Sequence, residues 1–148
     1  MRIFNLFSLC IVSALALLAC EQATVTPLKI EAAWIREAPP GATAMAGYLR
    51  IINNSKNNII LHNANSPAFK AIEFHRSIEK EGVYRMVPQM HLHIAANTTF
   101  VLEPGDYHLM MFNPTNTLKE GDSIEIEFVF SHKQVINMTI PVKKHSID

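Results

Sequence analysis

Four residues of this chain carry donor atoms suited to one kind of chemistry. His75, Met86, His108 and Met110 follow the spacing H-x10-M-x21-H-x-M. Two imidazoles and two thioethers make a borderline-to-soft ligand set, which favours copper and above all Cu(I). A doubly charged ion gains less from neutral soft donors. Thioether sulfur carries no proton and forms no disulfide. It can therefore hold a soft ion where a thiolate would be oxidised, although methionine itself remains open to sulfoxide formation.

Taken singly, each residue has an ordinary explanation. Methionine fills cores, and a lone surface histidine usually does nothing. Met45, Met111 and Met138 are assigned to core or groove, and His62, His132 and His145 to the plain surface class. The i, i+2 pair His108 and Met110 resists that explanation. Successive side chains of a strand point to opposite faces. Over Tyr107–Phe112, Tyr107, Leu109 and Met111 share a core-like face, which leaves His108 and Met110 together on the other. Over Ala71–Ser77, Ile72 and Phe74 point one way and Glu73 and His75 the other. Met86 follows the Glu81-Gly82 turn, so a hairpin brings it back towards His75. Pairing with Tyr107–Phe112 then assembles an exposed four-ligand site on one surface. Met90-His91-Leu92-His93 adds two histidines of one strand face, either plain edge-strand residues or an auxiliary metal site suited to Cu(II).

The elements that position these residues are strands. Predicted segments are Ile30–Arg36, Ala46–Asn53, Asn58–Asn65, Ala71–Ser77, Val83–Val87, Thr98–Leu102, Tyr107–Phe112, Ser123–Phe130 and Gln134–Val142. Turn residues separate them, at Pro39-Pro40-Gly41, Asn53–Asn58, Glu81-Gly82, Pro104-Gly105-Asp106 and Glu120-Gly121-Asp122. No long helical period occurs. Short, evenly spaced strands argue an all-β sandwich or small barrel.

The chain begins as an exported protein. Arg2 precedes the mostly apolar run Ile3–Leu18, a signal-peptide pattern. Leu17-Leu18-Ala19-Cys20 resembles a bacterial lipobox, in which the cysteine is lipidated and becomes the mature N-terminus. The alternative is a secretory signal that happens to end in cysteine. Glu21, rather than aspartate, after Cys20 leans towards the outer membrane. The expected organisation is a signal over 1–19, a lipid anchor and tether over 20–27, and one copper-binding domain over 28–148. The cysteines are Cys10 and Cys20, so the folded part has no disulfide, thiolate ligand or cysteine nucleophile. Removing the signal takes Arg2 from the 13 basic residues and none of the 13 acidic ones. A net charge of −1 makes no electrostatic case for nucleic acid. Membrane contact is expected through the lipid alone.

At these residues the chain resembles the PCuAC family of periplasmic Cu(A) chaperones. The family motif is H-x10-M-x21-H-x-M, and every spacing matches. Ala33-Trp34-Ile35-Arg36, Pro39-Pro40-Gly41 and Gly47-Tyr48-Leu49 resemble the family's opening. Leu102–Met110 resembles its central signature, and Leu118-Lys119-Glu120-Gly121-Asp122 the turn after it. The resemblance implies a cupredoxin-like, Ig-like Greek-key β-sandwich. It also implies one Cu(I), passed to the Cu(A) subunit of cytochrome c oxidase or to another copper chaperone. Arg76 stands where some members carry a second methionine, and where many members carry a His- and Met-rich tail the sequence has His145 alone, so a second tail site is not expected.

Two rival functions remain: periplasmic copper buffering with no dedicated acceptor, and an Ig-like lipoprotein that binds only proteins. An enzyme is not expected. There is no H-E-x-x-H, no G-x-S-x-G and no obvious acid–base pair.

Overall fold

The computed structural model describes residues 27–144. The signal, Cys20, the tether before Pro27 and His145 lie outside the described residues. Ten strands follow in order: β1 (Leu28–Arg36), β2 (Ala44–Asn53), β3 (Ile59–Asn65), β4 (Phe69–Lys80), β5 (Val83–Gln89), β6 (Leu92–Ile94), β7 (Thr98–Leu102), β8 (Tyr107–Pro114), β9 (Ser123–Phe130) and β10 (Val135–Lys143). A short 3-10 turn, Ser131–Lys133, joins the last two. The nine predicted strands all form, within a few residues of their expected bounds. The tenth, β6, is three residues long and was not among those segments, although His91 and His93 were read as lying on one face of an edge strand, which β6 is.

The strands run β5-β4-β8-β2-β1-β10-β9-β3-β6, with β7 also on β2. Two layers meet where β1 pairs with β10 in parallel, at Ile35–Val142 and Arg36–Lys143. Their inner faces close over one core, in which Phe128, Leu61, Ile51, Met111 and Leu109 lie fully buried. The all-β sandwich expected from the sequence is the observed fold. Period-two alternation explains the layering. In β9, Ile124, Ile126, Phe128 and Phe130 are buried while Ser123, Glu125 and Glu127 are exposed.

Three local features position the strands around the four soft-donor residues. The β4–β5 hairpin turns on Glu81 (φ 55) and Gly82 (φ 76). Two consecutive left-handed residues form the turn that matches strand twist, and they set the register Lys80 to Val83. Gly47, on β2 opposite Leu109, leaves room for the adjacent strand. A Cβ there would stand 3.2 Å from both Leu109 Cδ1 and Met111 Sδ, and 3.3 Å from Leu109 Cβ. Asn53 is wholly buried. Its amide donates to Asn57 O at 2.9 Å and Ala95 O at 3.0 Å, and its Oδ1 accepts from Ser55. A buried amide this well satisfied pins the β2–β3 turn to the end of β6.

Candidate metal centre

β4 and β8 pair antiparallel with His75 directly opposite His108 and Glu73 opposite Met110. On the other side of β4, Met86 of β5 lies opposite Ser77, and Pro88 opposite His75. Met86 is thus one diagonal step from His75, not directly across from it. The turn register dictates this, since pairing 80 with 83 pairs 77 with 86. Alternation then puts His75, Met86, His108 and Met110 on one face of three neighbouring strands, as expected. Leu109, Met111 and Phe74 occupy the buried opposite face.

The histidines differ from expectation in depth. A site exposed on a solvent face was expected, yet His75 is only 8% exposed and His108 only 4%. Alternation tells which face a side chain takes, not what covers it. β4 and β8 are interior strands, flanked by β5 and β2. The Phe112 ring stands 6.1 Å from the His75 ring, centre to centre. The segment Arg36–Pro39 and the Pro104-Gly105 turn wall a hollow that His108, Met86 and Met110 also line. Met86 is the open side of the cluster, 60% exposed. Met110 is half-buried.

Hydrogen bonds choose a tautomer for each ring. His75 Nε2 lies 2.8 Å from Glu73 Oε2. A carboxylate only accepts, so Nε2 of the neutral ring carries the proton and Nδ1 the lone pair. His108 Nδ1 lies 3.0 Å from the carbonyl of Asp106, so by the same logic its lone pair is on Nε2. His75 Nδ1 and His108 Nε2 are both buried without a hydrogen-bond partner. Such an atom costs about 1–3 kcal/mol when nothing fills it. Two of them on facing residues are the arrangement that ligating histidines present, each holding its other nitrogen on an outer partner. The ring centres are 6.0 Å apart. Two imidazoles sharing one ion at ~2 Å metal–nitrogen distance have centres ~5–6 Å apart as the angle at the metal opens. The ring separation lies at the wide end of that range, and Met86 and Met110 lie on the same face.

Asp106 organises the rim. Its carbonyl accepts from Ser77 N–H at 3.1 Å as well as from His108. Its carboxylate takes Arg76 Nε at 2.7 Å, and the Arg76 guanidinium lies 4.7 Å from the centre of the Tyr107 ring. These contacts raise the Arg76 pKa, the Asp106 hydrogen bond most of all. Arg76, a departure from the family pattern, thus ties β4 to the turn that orients His108. Glu73 and Asp106 were not singled out as site residues. Glu73 was legible, since it shares the His75 face two residues away. The Asp106 role rests on a backbone carbonyl, which no side-chain pattern displays.

The remaining histidines separate. His91 and His93 flank buried Leu92 and are both exposed. His93 faces Ile60 of β3, whereas the His91 ring meets His62 at 4.9 Å, edge to face. His62, read as a plain surface residue, is therefore the ring that His91 contacts. His132 is exposed in the 3-10 turn. Met45 and Met111 are buried in the core, and Met138 packs against it. Tyr84 is 73% exposed, while Phe112 is half-buried against His75.

A family model described as "Putative lipoprotein LpqE-like" matches residues 28–142. The chain belongs to the LpqE-like lipoprotein family. "Putative lipoprotein Lxx21020" of Leifsonia xyli subsp. xyli is 28% identical over 120 residues, 80% of this chain and 71% of that protein. "Uncharacterized protein RP573" of Rickettsia prowazekii is 30% identical over 98 residues, 64% of this chain and 54% of that protein. Among solved structures, the copper-bound PCuAC domain from PmoF2 superposes with a TM-score of 0.70 at 19% identity. That match covers 82% of this chain and 96% of that domain. CuI-DR1885 from Deinococcus radiodurans superposes with a TM-score of 0.65 at 24% identity, covering 86% of this chain and 87% of that one. The LpqE-like family member thus has the fold of PCuAC domains.

Proposed function

We propose that this protein is a copper chaperone of the cell envelope, holding one Cu(I) among His75, Met86, His108 and Met110. The observation that carries this reading is the pair of buried, unpartnered nitrogens, His75 Nδ1 and His108 Nε2, on the sheet face that also bears two methionines. No three of His, Cys, Asp and Glu cluster among the described residues as a metal site. The donors that share this face with the two imidazoles are the thioethers of Met86 and Met110, and thioethers select the soft ion. The shared fold with copper-bound PCuAC domains supports the same cargo.

The buried rings and exposed Met86 suggest an order of transfer. Met86 is the donor an acceptor reaches first. Its displacement opens the ion to an incoming ligand while the histidines, held by Glu73 and Asp106, stay in place. Release then proceeds by ligand exchange, and free Cu(I) never forms. The acceptor we propose is the Cu(A) subunit of cytochrome c oxidase, or a second chaperone that serves it. The protein acts from the periplasm, anchored through a lipid on Cys20, with the outer membrane favoured by Glu21.

Anaerobic Cu(I) titration with X-ray absorption tests the site. One equivalent with two nitrogen and two sulfur neighbours is expected, and one with nitrogen and oxygen neighbours alone would refute the ligand set. Loss of Cu(A) oxidase activity on gene deletion supports delivery. Copper sensitivity with intact oxidase would instead support buffering.

A further inference from the structure

A second, chemically different pair of imidazoles stands outside this centre. His62 lies on β3, and His91 immediately precedes β6. The β3–β6 register pairs Ile60 with His93 and Leu61 with Leu92. Extended by one residue, it sets His62 and His91 directly opposite each other. Leu61 and Leu92 point into the core, so both histidines point out, and both are exposed. Their ring centres are 4.9 Å apart. Two imidazoles in cis positions of one tetragonal Cu(II) ion, at ~2.0 Å metal–nitrogen distance and ~90–105° between them, place their centres ~4.5–5 Å apart.

We propose that His62 and His91 form a second metal site, a two-nitrogen clamp for Cu(II). The donors are imidazoles without sulfur, and such a set prefers the oxidised ion, which stands at the top of the divalent affinity order. No third His, Asp or Glu completes the pair among the described residues, so water fills the other positions. The site is open where the first is recessed, and it lies close by. His62 lines one hollow together with Met90 and with Glu73, the carboxylate that orients His75. The chain would thus hold copper in two oxidation states on neighbouring surfaces, each with its own donors.

The test uses the full mature chain carrying H108L and M110L, which disables the first site, titrated with Cu(II) and followed by electron paramagnetic resonance. One equivalent with two nitrogen donors is expected. Added H62Q or H91Q should each weaken it by roughly tenfold or more, since even outer-shell partners of metal ligands cost that much. In the otherwise native chain, H62Q and H91Q should leave anaerobic Cu(I) binding unchanged. Cu(II) affinity in both variants unchanged from that of the H108L/M110L parent would overturn the clamp. So would a loss caused by H93Q and not by H62Q, which would move the site along β6. A native chain that takes up no Cu(I) would refute the function proposed above and leave the Cu(II) result standing by itself.

Discussion

Glu73 accepts a hydrogen bond from Nε2 of His75 across 2.8 Å, and this contact leaves Nδ1 as the free donor of a buried ring. The two residues are neighbours on one face of β4, so the same alternation that turns His75 away from the core supplies its orienting carboxylate. His108 is handled differently. Its Nδ1–H meets the Asp106 backbone carbonyl, which leaves Nε2 free. The two rings of the centre thus present opposite nitrogens.

Removing the carboxylate should weaken copper binding without removing a ligand. Glu73→Ala is expected to lower Cu(I) affinity by about 10–100-fold, the usual effect of losing an outer-shell partner of a ligating histidine. Glu73→Gln, whose amide oxygen still accepts, should lose less. Competition against a Cu(I) chelator measures both, and equal affinity in all three proteins would show that the contact does not orient His75.

His108→Leu should separate stability from binding. The apo protein is expected to be as stable as the native one or more stable by about 1 kcal/mol, because an unsatisfied buried nitrogen disappears. The Asp106 carbonyl keeps its bond from Ser77 N–H, so no new orphan is made. Thermal melts should show Cu(I) raising the native midpoint, as a ligand that binds only the folded state must, and leaving the variant's midpoint where it was. A variant still stabilised by Cu(I) would remove His108 from the ligand set.

Met86→Leu keeps the bulk of an exposed side chain and deletes its sulfur. Stability should change by less than ~0.5 kcal/mol, as at most surface positions. Cu(I) should be held roughly tenfold less tightly or worse, and lost faster to a competing chelator. Identical dissociation kinetics in the two proteins would contradict a role for Met86 as the displaceable donor.

Gly47→Ala tests the packing beneath the site. The new methyl would press on Leu109 Cβ at 3.3 Å, an atom close to the backbone that cannot swing away. A loss of about 1–3 kcal/mol is expected from such overpacking, measured by urea denaturation. No loss would mean that β8 can shift away from β2, and His108 and Met110 would shift with it.

Much of the fold was legible because its signals are local. Alternation marked nine strands, and Glu81-Gly82 marked the hairpin that carries Met86. β6 was not among the predicted segments, because three residues are too few to show a period, although the reading of His91 and His93 already put an edge strand there. Its stability comes from pairing with β3 and from the buried Asn53 amide, both distant in sequence. His62 was passed over for the same reason. Its neighbour His91 is 29 positions away along the chain, and only the β3–β6 register joins them.

The sequence by itself determined the donor types, their spacing, the strand face each donor takes, and the absence of a thiol in the folded part. Those properties depend on residue identity and on the two-residue period of an extended chain. Tertiary structure decided the rest. Strand order placed β4 and β8 in the interior of their layer, which buried His75 and His108 and left Met86 as the open side. A backbone carbonyl two residues before it selected the free nitrogen on His108, and long-range pairing set His62 against His91. Burial and register are properties of neighbours that the chain brings together only by folding, and no local pattern encodes them.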